Sequence, residues 1–154
     1  MSLTLNEDTY VLADESDSLL SEVLPASNPL RISWAVLDEH EKESFLKSAL
    51  RRLEGLNVVG EKARFHQALK FPRLTRGVPY DFNSAPLEVK RAQVVWALEI
   101  LREELYEKKR NESACVALGI LNKPTATETS QNGYKTPKLV KELMHKWITQ
   151  WRRL

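Results

Sequence analysis

The stretch "PLEVKRAQVVWALEILREELYEKK" (residues 86–109) decides the fold of this chain. The proline at its start suits the first turn of a helix, where no backbone amide donor is needed. Val95, Trp96 and Ile100 add apolar surface well beyond the main stripe, and a helix so apolar around its girth is usually surrounded by other elements. It therefore predicts a central helix. The main stripe consists of Leu87, Val94, Leu98, Leu101 and Leu105.

Two further helices are predicted before this stretch. The first runs from about Leu12 to Leu24, and Pro25 with "SNP" (27–29) ends it, because proline lacks the amide donor and restricts its neighbour. The second begins with Asp38 and Glu41 at the spacing of a capping box. Gly55 marks its end. Its apolar residues recur at helical spacing: Phe45, Leu46, Ala49, Leu50, Leu53 and Leu56.

The rest of the chain is less regular. Residues 57–85 carry Gly and Pro punctuation and predict loops, residues 114–121 ("ACVALGIL") predict a short strand, and residues 122–136 predict a polar linker. Thr136 as N-cap and Pro137 in the first turn then open an amphipathic helix that runs to Leu154. The predicted fold is mainly α: a compact bundle of about three to four helices (1–121), a flexible linker arm (122–136) and a C-terminal helix (137–154).

Composition indicates one soluble globular domain, with 154 residues of which 42% are apolar and 29% charged. The longest apolar run has eight residues, far below the roughly 20 that span a bilayer. The N-terminus shows no secretory signal pattern, and the lone Cys115 fits a reducing compartment. Residues 1–24 carry six acids and no bases, whereas residues 138–154 carry five bases and one acid. This asymmetry allows head-to-tail pairing of copies, two surfaces for different partners, or simply two solvated faces.

No pattern of catalytic chemistry is visible. His40, His66 and His145 stand far apart, and one cysteine excludes the common Cys-rich zinc sites. Phosphate-binding loops, nucleophile elbows and H-E-x-x-H are missing. The acidic "DESD" (14–17) is better explained as a first helical turn than as a cation site. We therefore expect no catalytic, cofactor or metal site, and no enzyme.

An ordered set of residues gives the chain a family resemblance. The order is "TYVLADESDSLL", a Trp, "ESFLKSALRRLEGLNVVGEK", "QALKFPR" and "APLEVKRAQVVWALEIL". It resembles the bacteriophage head–tail connector (adaptor) family, some of whose members are labelled DnaT-like single-stranded-DNA-binding proteins. Phe71 stands where that family more often has Trp. The matching positions include Tyr10, Trp34, Arg52, Leu53, Gly60, Gln67, Leu69, Phe71, Pro72, Arg73, Pro86, Val89, Lys90 and Ala92.

The resemblance implies a structural virion protein. Such connectors form a ring, of twelve copies in the family, that binds the portal protein on one side and a tail or stopper protein on the other. Double-stranded DNA passes through the lumen without specific binding, during packaging and ejection. The implied location is the virion neck after assembly in the host cytoplasm, with no cofactor and no membrane. The alternative is a replication-type single-stranded-DNA-binding protein.

Two groups of residues carry these expectations. The first is a structural signature, in which Gln67 and Arg73 bond loop backbone while Leu69 and Phe71 pack on the helices, together with Pro72 and Pro86. The second is the C-terminal helix, for which membrane binding, base stacking by Trp147 and Trp151, and packing in its own chain are alternatives. The linker favours docking into another chain, and the family resemblance implies that this chain is the portal. The predicted portal-binding residues are Leu139, Leu143, Trp147, Ile148, Trp151, Arg152 and Arg153.

Overall fold

A computed structural model of the chain describes residues 3–74, 84–116 and 135–148. Within these ranges the fold is mainly α, as the sequence predicts, with five helices and one antiparallel two-stranded sheet. The helices are α1 (Ala13–Val23), α2 (Pro29–Val36), α3 (Glu39–Glu54), α4 (Leu87–Val116) and α5 (Lys138–Leu143). The strands are β1 (Glu61–Lys62) and β2 (Arg73–Leu74).

Helix α4 is the central helix of the described residues. This confirms the prediction made from the apolar residues on all its sides. Residues 92–98 are all buried, and α4 packs against α1, α2, α3 and α5. Leu87, the first residue of the predicted apolar stripe, is about half exposed. The helix continues to Val116, so the strand predicted from residue 114 is wrong for residues 114–116, and residues 117–121 lie outside the described ranges. No Pro or Gly interrupts residues 100–116, which lets the helix continue.

Helices α1 and α3 form where the sequence predicts them. The capping box of α3 is present: the Glu41 N–H donates to Asp38 Oδ1 at 2.7 Å, and the Asp38 N–H donates to Glu41 Oε2 at 3.0 Å. These bonds satisfy two amides that the helix leaves unpaired. The predicted apolar face of α3 is buried through Leu46, Ala49, Leu50 and Leu53.

Helix α2 was not predicted. Asn28 and Pro29, taken from the sequence as the break after α1, instead begin a new helix. The Asn28 side chain accepts hydrogen bonds from the Leu30 N–H at 2.9 Å and the Arg31 N–H at 3.4 Å, and the proline occupies the first helical position. Trp34 is buried, and its indole N–H donates to Asp17 Oδ1 at 3.0 Å.

Acidic residues of α1 form ion pairs within the chain. Three of its carboxylates reach cations on α3 and α4, so much of the charge at this end is balanced internally. Surface pairs of this kind each contribute at most about 1 kcal/mol. The pairs are Glu15–Lys90 at 2.8 Å, Asp17–Lys42 at 3.0 Å and Glu22–Arg91 at 2.6 Å.

The C-terminal segment, residues 135–148, departs from the predicted long helix. Helix α5 ends at Leu143, and Pro137, not Thr136, is its N-cap residue. Thr136 is buried, and its hydroxyl has no hydrogen-bond partner among the described residues. Beyond the helix, the Trp147 C=O accepts a hydrogen bond from the Val59 N–H at 2.8 Å. Residues 149–154 and most of the predicted linker lie outside the described ranges.

Candidate nucleic-acid interface

Trp147, proposed from the sequence as an anchor for a partner, is buried in its own chain. Its side chain is only 2% exposed, and its ring meets Phe71 edge-on with 5.2 Å between centroids. Ile148, which is also buried, forms an antiparallel bridge with Val58. A base or a portal groove can therefore reach neither side chain in this conformation. The apolar surface that the sequence assigned to another polypeptide is covered here by the helical body.

The other predicted portal-binding residues are placed differently. Leu139 is exposed, and Leu143 is half-buried and packs against the core. Lys146, beside Trp147, lies 3.4 Å from Glu88 in an ion pair. Trp151, Arg152 and Arg153 lie outside the described residues. Portal binding by the exposed or undescribed members stays a prediction.

The signature residues Gln67 and Arg73 bond loop backbone, as the sequence indicates. The Gln67 side-chain amide donates to the Leu69 C=O at 2.7 Å and the Pro72 C=O at 2.9 Å. The Arg73 guanidinium donates to the Val59 C=O at 2.8 Å, to Lys70 at 3.4 Å and to Gly60. Gly60 has a positive φ of 82°, which suits glycine. These bonds fix the base of the β1–β2 hairpin (residues 61–74) on the helical body.

Tyr10 joins this hairpin to α3. Its hydroxyl donates to Glu54 and accepts from the Phe71 N–H at 3.1 Å, and Glu54 also accepts from the Lys70 N–H at 3.0 Å. Burial, with the Glu54 carboxylate beside it, raises the pKa of Tyr10 well above its ordinary value. Burial also lowers the pKa of Lys70, whose ammonium donates to the Leu56 C=O at 2.8 Å. The signature is thus a structural unit around Phe71, and the Phe71–Pro72 bond is cis.

The turn of the β1–β2 hairpin presents an aromatic side chain to solvent. The Gln67 N–H donates to the Arg64 C=O at 3.2 Å, which closes a turn with Phe65 and His66 at its centre. Phe65 is 93% exposed, and its ring meets His66 edge-on at 5.1 Å between centroids. Lys62, whose ammonium donates to the Gln67 C=O at 3.0 Å, is exposed, as is Arg64. An accessible ring beside two cations is a stacking platform with phosphate contacts in reach.

Exposure distinguishes this turn from Tyr106, the other aromatic side chain with a large exposed surface among the described residues. Tyr106 on α4 is 62% exposed, and its neighbours one helical turn away are Arg102, Glu103, Lys109 and Arg110, so it also lies beside cations. The turn of the hairpin is more exposed, through Phe65 at 93%, and it carries no acid between Lys62 and His66 that would repel phosphate. The turn is therefore the better candidate interface. Sequence reasoning missed it because residues 57–85 look irregular; the available signal was "RFH" (64–66), an aromatic residue between basic ones.

Across residues 3–74, 84–116 and 135–148, His, Cys, Asp and Glu side chains form no group that could hold a metal ion. In the described part of the chain, none of the helices combines the length and the hydropathy that a membrane span needs.

Comparison with known proteins identifies the class. The model of the family described as "Putative DnaT-like ssDNA binding protein" matches residues 3–150. The match covers nearly the whole chain, and the protein belongs to this family. No curated protein and no solved structure is significantly similar to it.

Proposed function

We propose that this protein binds single-stranded DNA through the turn of the β1–β2 hairpin. The observation that carries the proposal is Phe65, a large aromatic side chain 93% exposed among basic residues. Membership of the DnaT-like family supports the same ligand. The Phe65 ring would stack on an unpaired base, and Lys62 and Arg64 would meet the adjoining phosphates. The proposal assigns no catalytic step and no cofactor.

Physical chemistry favours a single strand over a duplex at this turn. A base in a duplex is stacked on both faces, whereas an unpaired base offers its face to an aromatic side chain. Stacking of this kind contributes about 1–3 kcal/mol per base and depends little on sequence. We expect modest affinity with little preference among bases.

Salt dependence tests the binding. We expect the affinity for a fluorescent oligothymidylate to fall log-linearly with salt, with a slope of about −1.5 to −2, because two or three cations would meet phosphates. Phe65→Ala should weaken binding by roughly 5- to 150-fold through lost stacking. Tyr106→Ala is the matched control, since it removes an exposed ring that lies on α4, outside the hairpin turn. Equal affinities for wild type and Phe65→Ala would exclude the turn as the contact.

A second candidate is the head–tail connector implied by the sequence resemblance. It is supported by one observation: Ile32 and Val36, four residues apart on α2, are 55% and 82% exposed. Such an apolar pair on one helical face suits a contact between copies in a ring. In this candidate the portal would be engaged by Leu139, Trp151, Arg152 and Arg153. A tail or stopper protein would bind the other side, and double-stranded DNA would pass through without a specific contact.

Native mass spectrometry separates the two candidates. A connector should assemble into a ring, of twelve copies by the family resemblance, alone or with its portal, and Val36→Lys should prevent assembly without lowering the melting temperature. The single-strand binder should bind the oligonucleotide without needing a ring. A protein that stays monomeric and does not bind the portal protein would exclude the connector function.

A further inference from the structure

The C-terminal segment closes the base of the β1–β2 hairpin. Val59 lies two residues before β1, and its N–H donates to the Trp147 C=O at 2.8 Å while its C=O accepts from Arg73 Nε at 2.8 Å. The neighbouring Val58 pairs with Ile148 in a β-bridge. The strand entering the hairpin is therefore held on one edge by the C-terminal segment and on the other by the hairpin's own arginine.

The strand leaving the hairpin is held through the Trp147 ring. Phe71 packs edge-on against that ring, with an interplanar angle of 90°, and is 1% exposed. The next residue, Pro72, accepts a hydrogen bond from the Ala63 N–H at 3.0 Å, which pairs the two strands of the hairpin just below its turn. A single residue of the C-terminal segment thus contacts both the entry and the exit of the hairpin that presents Phe65.

The C-terminal segment does not hold its shape alone. Its helix α5 has six residues, and isolated helices below about 12 residues are marginal in water. Its order comes from docking: Val140, Met144 and Trp147 are buried, and Lys146 pairs with Glu88. In the sequence, residues 117–134 separate it from the end of α4. For a short segment held in this way we expect undocking to need less free energy than global unfolding.

We propose that Trp147 is a positioning residue for the single-strand site at Phe65, and that docking of the C-terminal segment and DNA binding strengthen each other. The inference rests on the proposed function. Trp147 touches no DNA, since it is nearly completely buried. It acts through Val59 and Phe71, by holding the hairpin in the form that projects the turn. A partner that captured the C-terminal segment would weaken the DNA site.

Thermodynamic linkage predicts a reciprocal effect of DNA on docking, which would not be seen if Trp147 were only a structural residue. If docking raises DNA affinity, then bound DNA must raise the docking equilibrium by the same factor. Saturating oligothymidylate should therefore slow amide hydrogen exchange at Trp147 and Val59, which lie at the base of the hairpin and not at its turn. Couplings of this kind commonly amount to about 5- to 150-fold.

The experiment uses the full chain with Trp147→Phe, Trp147→Ala and, as control, Leu20→Ala, a truncation of a buried side chain in α1. Without DNA, exchange at the Val59 and Ala63 amides should rise at least about fivefold in Trp147→Ala, less in Trp147→Phe, and little in Leu20→Ala, because local opening does not follow global stability. Oligothymidylate affinity should fall in the same order.

Two failures are distinguishable. If wild type shows no oligonucleotide binding, the proposed function fails, and the exchange data alone decide whether Trp147 positions the hairpin. If wild type binds while the Trp147 variants match Leu20→Ala in both exchange and affinity, the positioning role is overturned. If Trp147→Ala does not fold, Trp147→Phe still decides, because it keeps an aromatic edge against Phe71 and alters only its fit.

Discussion

The C-terminal segment and the turn of the β1–β2 hairpin both carry an aromatic residue beside basic ones, and the protein uses them in opposite ways. Trp147 is 2% exposed and packs against Phe71, whereas Phe65 is 93% exposed and contacts only His66 among aromatic rings of the described residues. The difference in exposure comes from the position of each residue within its local structure. Trp147 follows Val140 and Met144 on a stripe that meets α4, while Phe65 sits at the centre of a tight turn. Local composition alone does not distinguish a core residue from a binding residue.

The largest expected effect is a loss of stability when the buried aromatic ring is removed. Trp147→Ala should destabilise the fold by about 3–5 kcal/mol, because it leaves a cavity beside Phe71. Thermal unfolding followed by circular dichroism measures the loss. Phe65→Ala, the matched exposed substitution, should stay within about 0.5 kcal/mol of wild type. Similar melting temperatures for the two variants would show that the C-terminal segment is not packed as described.

The next effect concerns the base of the hairpin. Arg73→Ala should cost about 2–3 kcal/mol, since it removes charge-assisted bonds to the carbonyls of Val59 and Gly60. Arg73→Lys should recover little, because an ammonium cannot span both carbonyls. Urea unfolding gives the values. A variant with wild-type stability but lost ring assembly or lost DNA binding would show that Arg73 contacts a partner directly.

A smaller effect depends on pH. Burial raises the folded-state pKa of Tyr10 above its ordinary value of 10.0. The unfolded chain therefore loses this proton first, and the contribution of Tyr10 to stability is complete below pH 10 and declines as pH rises above it. Tyr10→Phe should cost about 1–2 kcal/mol at neutral pH, from the unpaired Phe71 N–H. It should also flatten the alkaline decline in urea titrations; an unchanged slope would place the titration elsewhere.

Much of the helical body could be predicted from the sequence, because its signals are local or periodic. The apolar residues on all sides of α4 and the Asp38–Glu41 capping box could both be recognised from residue spacing alone. Helix α2 was missed because a proline that ends one helix also suits the first turn of the next. The backbone bonds of Gln67 and Arg73 were predicted, whereas the exposure of Phe65 depends on a turn that no periodicity reveals.

The end of the C-terminal helix was also beyond sequence reasoning. An amphipathic stripe predicts which face is buried and not what covers it. In this chain the cover is the helical body, through the bond between Val59 and Trp147, residues 88 positions apart. Tertiary contacts over such separations override helical periodicity, since a β-bridge at Ile148 requires extended backbone.

The most direct test of the central claim compares two aromatic residues as DNA contacts. Oligothymidylate affinity is measured by fluorescence anisotropy at fixed salt for wild type, Phe65→Ala and Trp151→Ala. We predict that Phe65→Ala weakens binding at least about fivefold, as expected for one lost stacking contact, while Trp151→Ala stays within about twofold of wild type, as expected where no stacking contact is removed. The reverse pattern, with Trp151→Ala weak and Phe65→Ala unchanged, would contradict the assignment of the hairpin turn.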